Sequence, residues 1–262
     1  MITWFHTPLG QFEVAEIECR RGLRQFLINN PSIPYFGDGR EELLHILVLY
    51  SKLKGMKVHG NSVLTLFSGD YDRQSALRTY TAGFDMLAQT ACVLALDPLE
   101  PLYKVFRSTM LLMELWRSIC TGCYRDAFET VILLIEILEV YREKSHISSD
   151  YGGTFEYDME YLEAKLIYAR LMEMINPCKS MDILLGILQT THSCDMMALK
   201  GEAILLYSLV QQKFFHCNFG PCRKIIFDVG RVGRIRAFPQ LKRSAKVAMT
   251  ILQRIECTRG PA

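Results

Sequence analysis

The sequence predicts an all-α protein, a multi-helix bundle, and three observations support this prediction. Half of the 262 residues are hydrophobic, so the chain can bury a sizeable core. Apolar residues recur at helical spacing, and no segment shows the sustained alternation that is typical of a β-strand. The stretch 108–143 has the pattern of two long apolar helices that meet at a turn around Gly122, and helices this apolar belong at the centre of a bundle.

The segments before this pair are predicted from their apolar periodicity and from the residues that break the chain between them. The predicted helices cover 12–28, 41–54 and 73–95. Residues 62–67 form a short helix or a strand, because periodicity over only six residues does not distinguish the two. Gly55 and Gly60 close the second helix, and Asp72 is a suitable N-cap for the long helix that follows it. Pro98 and Pro101 break the chain ahead of the apolar pair.

The segments after the pair are also predicted to be helical. They cover 155–175, 181–189, 196–215, 223–236 and 241–255, and Gly230 and Gly233 interrupt the fourth of them. The stretch 145–154 is polar and contains glycine, so it favours a domain boundary. We therefore predict two helical domains, which are 1–150, with subdomains of about 1–96 and 97–150, and a smaller C-terminal domain over 151–262 with a basic end.

The net charge of +2 conceals a separation of charge along the chain. Residues 213–259 contain 11 Lys and Arg against 2 acids, a local +9, and residues 1–212 carry the remaining −7. Within the acidic part, residues 126–173 hold 11 acids against 4 basic residues. A basic end on an acidic body predicts a polyanionic partner or a head-to-tail contact with another copy of the chain.

Two groups of basic residues are candidate sites for such partners. The first flanks a predicted turn at 58–69 and contains Lys52, Lys54, Lys57, Arg73 and Arg78. The second is the C-terminal basic region, with Arg223, Lys224, Arg231, Arg234, Arg236, Lys242, Arg243 and Lys246. The alternative for either group is an ordinary solvated face.

No pattern of a catalytic or metal centre is complete in the sequence. Cys120 and Cys123 have metal-ligand spacing, but a second pair is missing, and the fold would have to bring His216 and its neighbouring cysteines to them. There is no phosphate-binding glycine loop and no paired histidine pattern. We therefore expect no enzyme, no cofactor and no stoichiometric zinc. Because the chain opens without a secretory signal, its nine cysteines are expected to be reduced thiols.

Five segments, read in order, carry a resemblance to a known family. They are AEI (15–17), REELLHILVLYSKLKGM (40–56), SVLTLFSGDYDRQSALRTYTAGF (62–84), DPLEPLYKVFR (97–107) and MELWRSICTGCYRDAFETVILLIEILEVYREKSH (113–146). Their order resembles the helical N-terminal part of an orthomyxovirus (influenza-like) matrix protein, over roughly residues 15–146. Lys104 and Arg107 stand where that family places a basic cluster after LYK, and they join the candidate membrane-binding residues on that ground.

The resemblance implies a structural protein of the virion. Members of this family form a polymeric layer beneath the viral envelope, bind anionic lipid electrostatically and contact viral ribonucleoprotein or RNA. It also implies a two-subdomain helical N-terminal region, followed by a helical C-terminal domain. The expected locations are the inner face of the envelope and, in the host cell, the cytoplasm, the nucleus and the membrane periphery.

We therefore expect a viral matrix protein that adsorbs to anionic membrane through charge and self-associates. Since no apolar anchor is evident, binding should weaken with salt and be absent on neutral lipid. Reversing the charge of Arg234, Arg236, Lys242 and Arg243 should abolish self-association. The alternatives are a tetratricopeptide-like adaptor, suggested by ALDPLEP at 95–101, and a helical nucleic-acid-binding protein that uses residues 213–259. The adaptor would need a regular 34-residue period, which the sequence does not show.

Overall fold

The computed structural model describes residues 12–29, 39–60, 62–93, 101–147, 154–190, 197–215, 219–235 and 238–259. Within these ranges the chain forms eleven α-helices and no β-strand, which confirms the all-α multi-helix prediction. The helices are α1 (Phe12–Asn29), α2 (Gly39–His59), α3 (Val63–Ser68), α4 (Arg73–Val93), α5 (Pro101–Thr121), α6 (Tyr124–Ile147), α7 (Thr154–Met172), α8 (Pro177–Thr190), α9 (Met197–Phe215), α10 (Phe219–Ile235) and α11 (Pro239–Arg259).

The chain divides into two compact units whose boundaries differ from the predicted domains. The first unit comprises Met1–Asn61 and Tyr71–Cys123, and the second comprises Ser62–Asp70 and Tyr124–Ala262. The predicted boundary near residue 150 falls inside the second unit, because α6 packs on α7 there. The two apolar helices of the predicted central pair are divided between the units. In the first unit α5 packs on α4 and α2, whereas α6 belongs to the second.

A glycine cap ends α5 at the point where the chain passes into the second unit. Gly122 has a φ of 81°, a conformation that glycine adopts without strain. Its N–H donates to the carbonyl of Ile119 at 3.1 Å, and the N–H of Cys123 donates to the carbonyl of Ser118 at 2.8 Å. These bonds satisfy two of the last carbonyls of α5, so the turn predicted around Gly122 is confirmed.

Residues 62–67, which the sequence left open between helix and strand, form the short helix α3. The Ser62 hydroxyl accepts the N–H of Thr65 at 3.1 Å and caps its start, and Gly69, with a φ of 67°, ends it. Val63, Leu64 and Leu66 are buried where α3 packs on α7, α9 and α11. A segment inserted between two helices of the first unit therefore belongs to the core of the second.

Trp116 is the largest fully buried side chain among the described residues of the first unit. Its ring centroid lies 4.8 Å from that of His59 and 5.6 Å from that of Tyr80, and a 3.0 Å hydrogen bond joins His59 Nδ1 to the Tyr80 hydroxyl.

Gly55 lies against the Trp116 indole, where a Cβ atom would overlap the ring. The prediction that Gly55 closes α2 is therefore wrong. The helix continues to His59, and Gly60, with a φ of 64°, follows its end.

The second unit is organised around α9 rather than around the 124–143 helix that the sequence suggested. Helix α9 packs on α3, α7, α8, α10 and α11, and its Ala203, Leu205, Leu206, Leu209 and Val210 are all buried. Helix α6 instead keeps Leu133 and Val140 exposed. Because other helices pack on several sides of α9, its apolar residues are distributed around the whole helix and not along one face.

A buried carboxylate on α9 ties three helices of the second unit together. Glu202 Oε2 accepts the N–H of Val63 at 2.8 Å, and the Ser244 hydroxyl of α11 donates to Glu202 Oε1. The hydroxyls of Ser62 and Ser244 are hydrogen-bonded to each other at 2.8 Å. Burial raises the pKa of the Glu202 carboxyl, and the hydrogen bonds from Ser244, Ser62 and Val63 oppose that rise.

We expect Glu202→Gln to change how stability depends on pH. With its pKa raised above 4.5, folded Glu202 keeps a proton at pH values where the unfolded chain has released it. The free energy of unfolding should therefore fall as pH rises above that value, and glutamine removes this contribution. Urea denaturation at a series of pH values should show that the unfolding free energy of the variant increases relative to that of the parent as pH rises.

The matched control for this change is Glu136→Gln on an exposed part of α6, which removes one carboxylate without touching the buried network. This variant keeps Glu202, so the fall in unfolding free energy that Glu202 produces should be retained. Curves for parent and Glu202→Gln that run parallel from pH 4.5 upward would mean that Glu202 does not titrate differently in the folded state.

Candidate cationic surface

Helices α10 and α11 form an antiparallel hairpin in the second unit. A Cβ atom at Gly233 would lie 2.9 Å from the Cβ of Leu241, so this glycine lets the two helices approach closely. Near the turn, the N–H of Phe238 donates to the carbonyl of Gly233 at 2.9 Å. At the open end Arg223 forms an ion pair with Glu256. Gly233, read from the sequence as an interruption, is therefore a contact point, and α10 continues past it to Ile235.

Both helices bury one face against α9. From α10, the Cys222 thiol donates to the carbonyl of Ser208 at 3.6 Å. From α11, Leu241 lies against Gly201, and Ser244 donates to Glu202. Since both helices turn these faces to the same neighbour, their opposite faces lie together on the outer side of the hairpin.

This outer side is strongly basic. We call it the basic hairpin face and define it by eight exposed residues, Arg223, Lys224, Arg231, Arg234, Lys242, Arg243, Lys246 and Arg254. Two partly exposed carboxylates accompany them, Glu256 paired with Arg223 and Asp228 at 3.6 Å from Arg231, so eight cations and two acids leave a net charge of +6. The other six cations form no ion pair with the described residues. A free cationic surface of this size attracts polyanions.

Two large apolar side chains stand among these cations. Phe227 is 67% exposed and Ile235 is 70% exposed, both on α10. Phe227 follows Lys224 by three positions and precedes Arg231 by four, so it shares the solvent side of the helix with them. The sequence reasoning missed both residues and Arg254, although a helical projection that included apolar residues would have placed them on this face.

The members of the first predicted basic group differ in exposure and in contacts. Lys52 is only 2% exposed, because α2 packs between neighbouring helices of the first unit, so it does not belong to a solvent-facing site. Lys54 lies over the Tyr50 ring at 4.9 Å, and Lys57 is 3.4 Å from a Glu16 carboxylate oxygen. Among these candidates, Lys57, Arg73, Arg78 and Arg107 are exposed, while the side chain of Lys104 lies outside the described residues.

The described residues of the C-terminal basic group lie on one face. Its members are all exposed on the basic hairpin face except Arg236, which lies outside the described residues. Lys213, counted with the basic end, instead lies 3.1 Å from Glu173 Oε1, and burial lowers the pKa of its ammonium. Glu173, Glu160 and Glu163 are buried, so the acidic excess of 126–173 is only partly displayed at the surface.

The residues of the alternative metal site are not gathered together in the part of the chain that the structure describes. Cys120 is buried, with its thiol donating to the carbonyl of Arg73 at 3.5 Å, whereas Cys123 is exposed. Burial raises the pKa of the Cys120 thiol. No three His, Cys, Asp or Glu side chains within the described ranges could hold a metal ion together, and His216 lies outside those ranges. The absence of zinc stays a prediction.

Among the described helices, none is long and apolar enough to cross a membrane. Searches with the chain found no matching family model, no similar curated protein and no similar solved structure. The charge, exposure and position of the side chains are therefore the grounds on which a function is proposed.

Proposed function

We propose that this protein is a non-enzymatic, helical, peripheral membrane protein that adsorbs to anionic lipid through the basic hairpin face. More particularly, we propose that it is the matrix protein of an orthomyxovirus-like virus, which self-associates into a layer beneath the envelope and links it to viral ribonucleoprotein. The observation that carries the proposal is the one-sided display of eight exposed cations with a net charge of +6.

The physical basis of adsorption is electrostatic attraction summed over the face. Each basic residue near an anionic leaflet adds about 1 kcal/mol, and the attraction decays within a Debye length. The six cations without an ion pair are therefore enough for reversible binding by a single copy. Binding by neighbouring copies that contact one another adds avidity, which is how a weakly bound layer becomes persistent.

The matrix assignment has its own support in the first 150 residues of the sequence. The resemblance covers about 130 residues in a fixed order of helices and breaks, and that order is independent of the basic hairpin face. On the surface, Glu129 and Glu136 of α6 are exposed together with Leu133 and Val140. An acidic and apolar strip of this kind suits contact with another protein copy.

The proposal is tested by co-sedimentation of the full chain with vesicles that contain or lack anionic lipid. We expect binding to anionic vesicles that is much stronger at about 0.01 M than at about 1 M salt, because the Debye length falls from about 30 Å to about 3 Å. Electron microscopy of the bound vesicles should show an ordered protein coat.

A parallel titration with RNA separates this function from nucleic-acid binding. Salt-sensitive binding to RNA without binding to anionic vesicles would overturn the membrane proposal and favour the helical nucleic-acid-binding alternative. Vesicle binding without any ordered coat would overturn the layer-forming part alone.

A further inference from the structure

We propose that Phe227 and Ile235 insert into the apolar part of the anionic bilayer to which the basic hairpin face adsorbs. This inference rests on the proposed function and adds to it a hydrophobic anchor. The membrane interaction would then be of a mixed kind, with charge bringing the protein to the surface and apolar side chains holding it there.

The first observation is the exposure of these two side chains. Phe227 and Ile235 are 67% and 70% exposed, although each has enough apolar area to favour burial. They are eight positions apart on α10, which corresponds to about 12 Å along the helix. Two apolar side chains at this separation can enter the same leaflet together when the helix lies along the membrane surface.

The second observation is the chemistry around them. Lys224, Arg231 and Arg234 surround Phe227 on the same side of α10, and their long side chains can extend toward lipid phosphates while the phenyl ring goes deeper. A helix that combines basic residues with exposed apolar ones binds at the boundary between headgroups and acyl chains. The charge of the face therefore selects an anionic membrane as the partner for its apolar residues.

The aliphatic nature of Ile235 favours a bilayer over RNA as that partner. A phenyl ring such as that of Phe227 can stack on a nucleobase, but a branched aliphatic side chain has no flat face with which to do so. Both residues, in contrast, gain from entering hydrocarbon. Helix α11 exposes mainly polar and basic side chains between Lys242 and Arg254, so it contributes charge rather than an anchor.

The test compares two double variants of the full chain. We expect Phe227→Ala with Ile235→Ala to weaken binding to phosphatidylserine-containing vesicles by at least about tenfold, since the apolar area no longer leaves water. It should also remove the portion of binding that survives in high salt, because salt does not screen apolar burial. The matched control is Met174→Ala with Ile175→Ala, whose side chains are 68% and 67% exposed at the turn after α7. It should bind like the parent.

Insertion is also measured directly. Phe227→Trp places a fluorophore on the face, and vesicles with brominated acyl chains should quench it. The parent, which contains two tryptophans, gives the background, and Met174→Trp gives the control for an exposed position elsewhere. Quenching confined to the Phe227→Trp variant supports the anchor.

The possible failures are distinguishable. If the parent binds anionic vesicles in a salt-dependent way but the Phe227 and Ile235 double variant binds equally well and the introduced tryptophan is not quenched, the anchor is refuted and electrostatic adsorption stands. If the parent does not bind anionic vesicles at all, the proposed membrane function is itself refuted. If the double variant loses RNA binding while vesicle binding is unchanged, Phe227 serves a nucleic acid and the anchor is again refuted.

Discussion

Replacing Lys242, Arg243 and Lys246 with glutamate should abolish binding to anionic vesicles, with affinity falling by more than about a hundredfold. Three reversals take the net charge of the basic hairpin face from +6 to zero. All three side chains are exposed on α11 and form no ion pair with the described residues, so the fold should be unaffected. Vesicle co-sedimentation at low salt measures the loss, and circular dichroism checks that helical content is retained.

The matched control carries the same change of charge on the first unit. Arg73, Arg78 and Arg107 are also exposed, so reversing them alters the total charge equally without touching the hairpin. We expect this variant to keep most of its vesicle binding. If the first-unit variant instead lost more vesicle binding than the hairpin variant, the membrane site would lie on the first unit. If the hairpin variant instead loses self-association but still binds vesicles, the face is a contact between copies, as the sequence first suggested.

Replacing Trp116 with alanine should cost the first unit about 3–5 kcal/mol of unfolding free energy, against a total of about 5–15 kcal/mol for an ordinary domain. The indole is fully buried and contacts the rings of His59 and Tyr80, so its removal leaves a cavity and loses those contacts. Urea denaturation measures the change. Ile17→Ala, at a position 57% exposed in the same unit, is the control and should change stability by less than about 0.5 kcal/mol.

A double-mutant cycle with Gly55 tests whether Trp116 occupies the place that the structure assigns to it. In the parent, Gly55→Ala should destabilise because the new Cβ would overlap the indole. In the Trp116→Ala background the same change should stabilise by about 0.5–1 kcal/mol, since alanine is the better helix residue. The same sign in both backgrounds would show that α2 and α5 do not meet at these residues.

The sequence predicted the helices because local signals define them. Asp72 caps α4 with bonds to the N–H groups of Gln74 and Ser75, at 3.0 Å and 3.2 Å, and Gly122 ends α5 as expected. Gly55 was wrongly predicted to end α2, because its role is a contact with Trp116, which is distant in the chain. The boundaries of the two units differ from the predicted domain boundary for the same reason, since the hydrogen-bond partners of Val63 and Ser62 lie more than a hundred residues away.

The sequence predicted where the candidate site lies along the chain, but it did not predict all of the residues that form it. A count of charge along the chain located the cations of α10 and α11, because these helices are consecutive and both turn their charged sides outward. The same count could not show that Lys52 is buried or that Lys213 is paired with Glu173. Phe227 and Ile235 were missed because apolar residues were assigned to the core by default.

The position of α3 has a consequence for folding during synthesis. The hydrogen bonds from its start reach across 139 residues from Val63 to Glu202 and across 182 residues between Ser62 and Ser244. At ordinary elongation rates of about 5–20 residues per second, roughly 9–36 s pass before the last of these partners is synthesised. During this interval Val63, Leu64 and Leu66 lack their native neighbours in α9 and α11, so the nascent chain exposes an apolar segment to which a chaperone can bind. Helix α3 thus reaches its native contacts only after α11 has been synthesised, whereas the helices before and after it belong to the first unit.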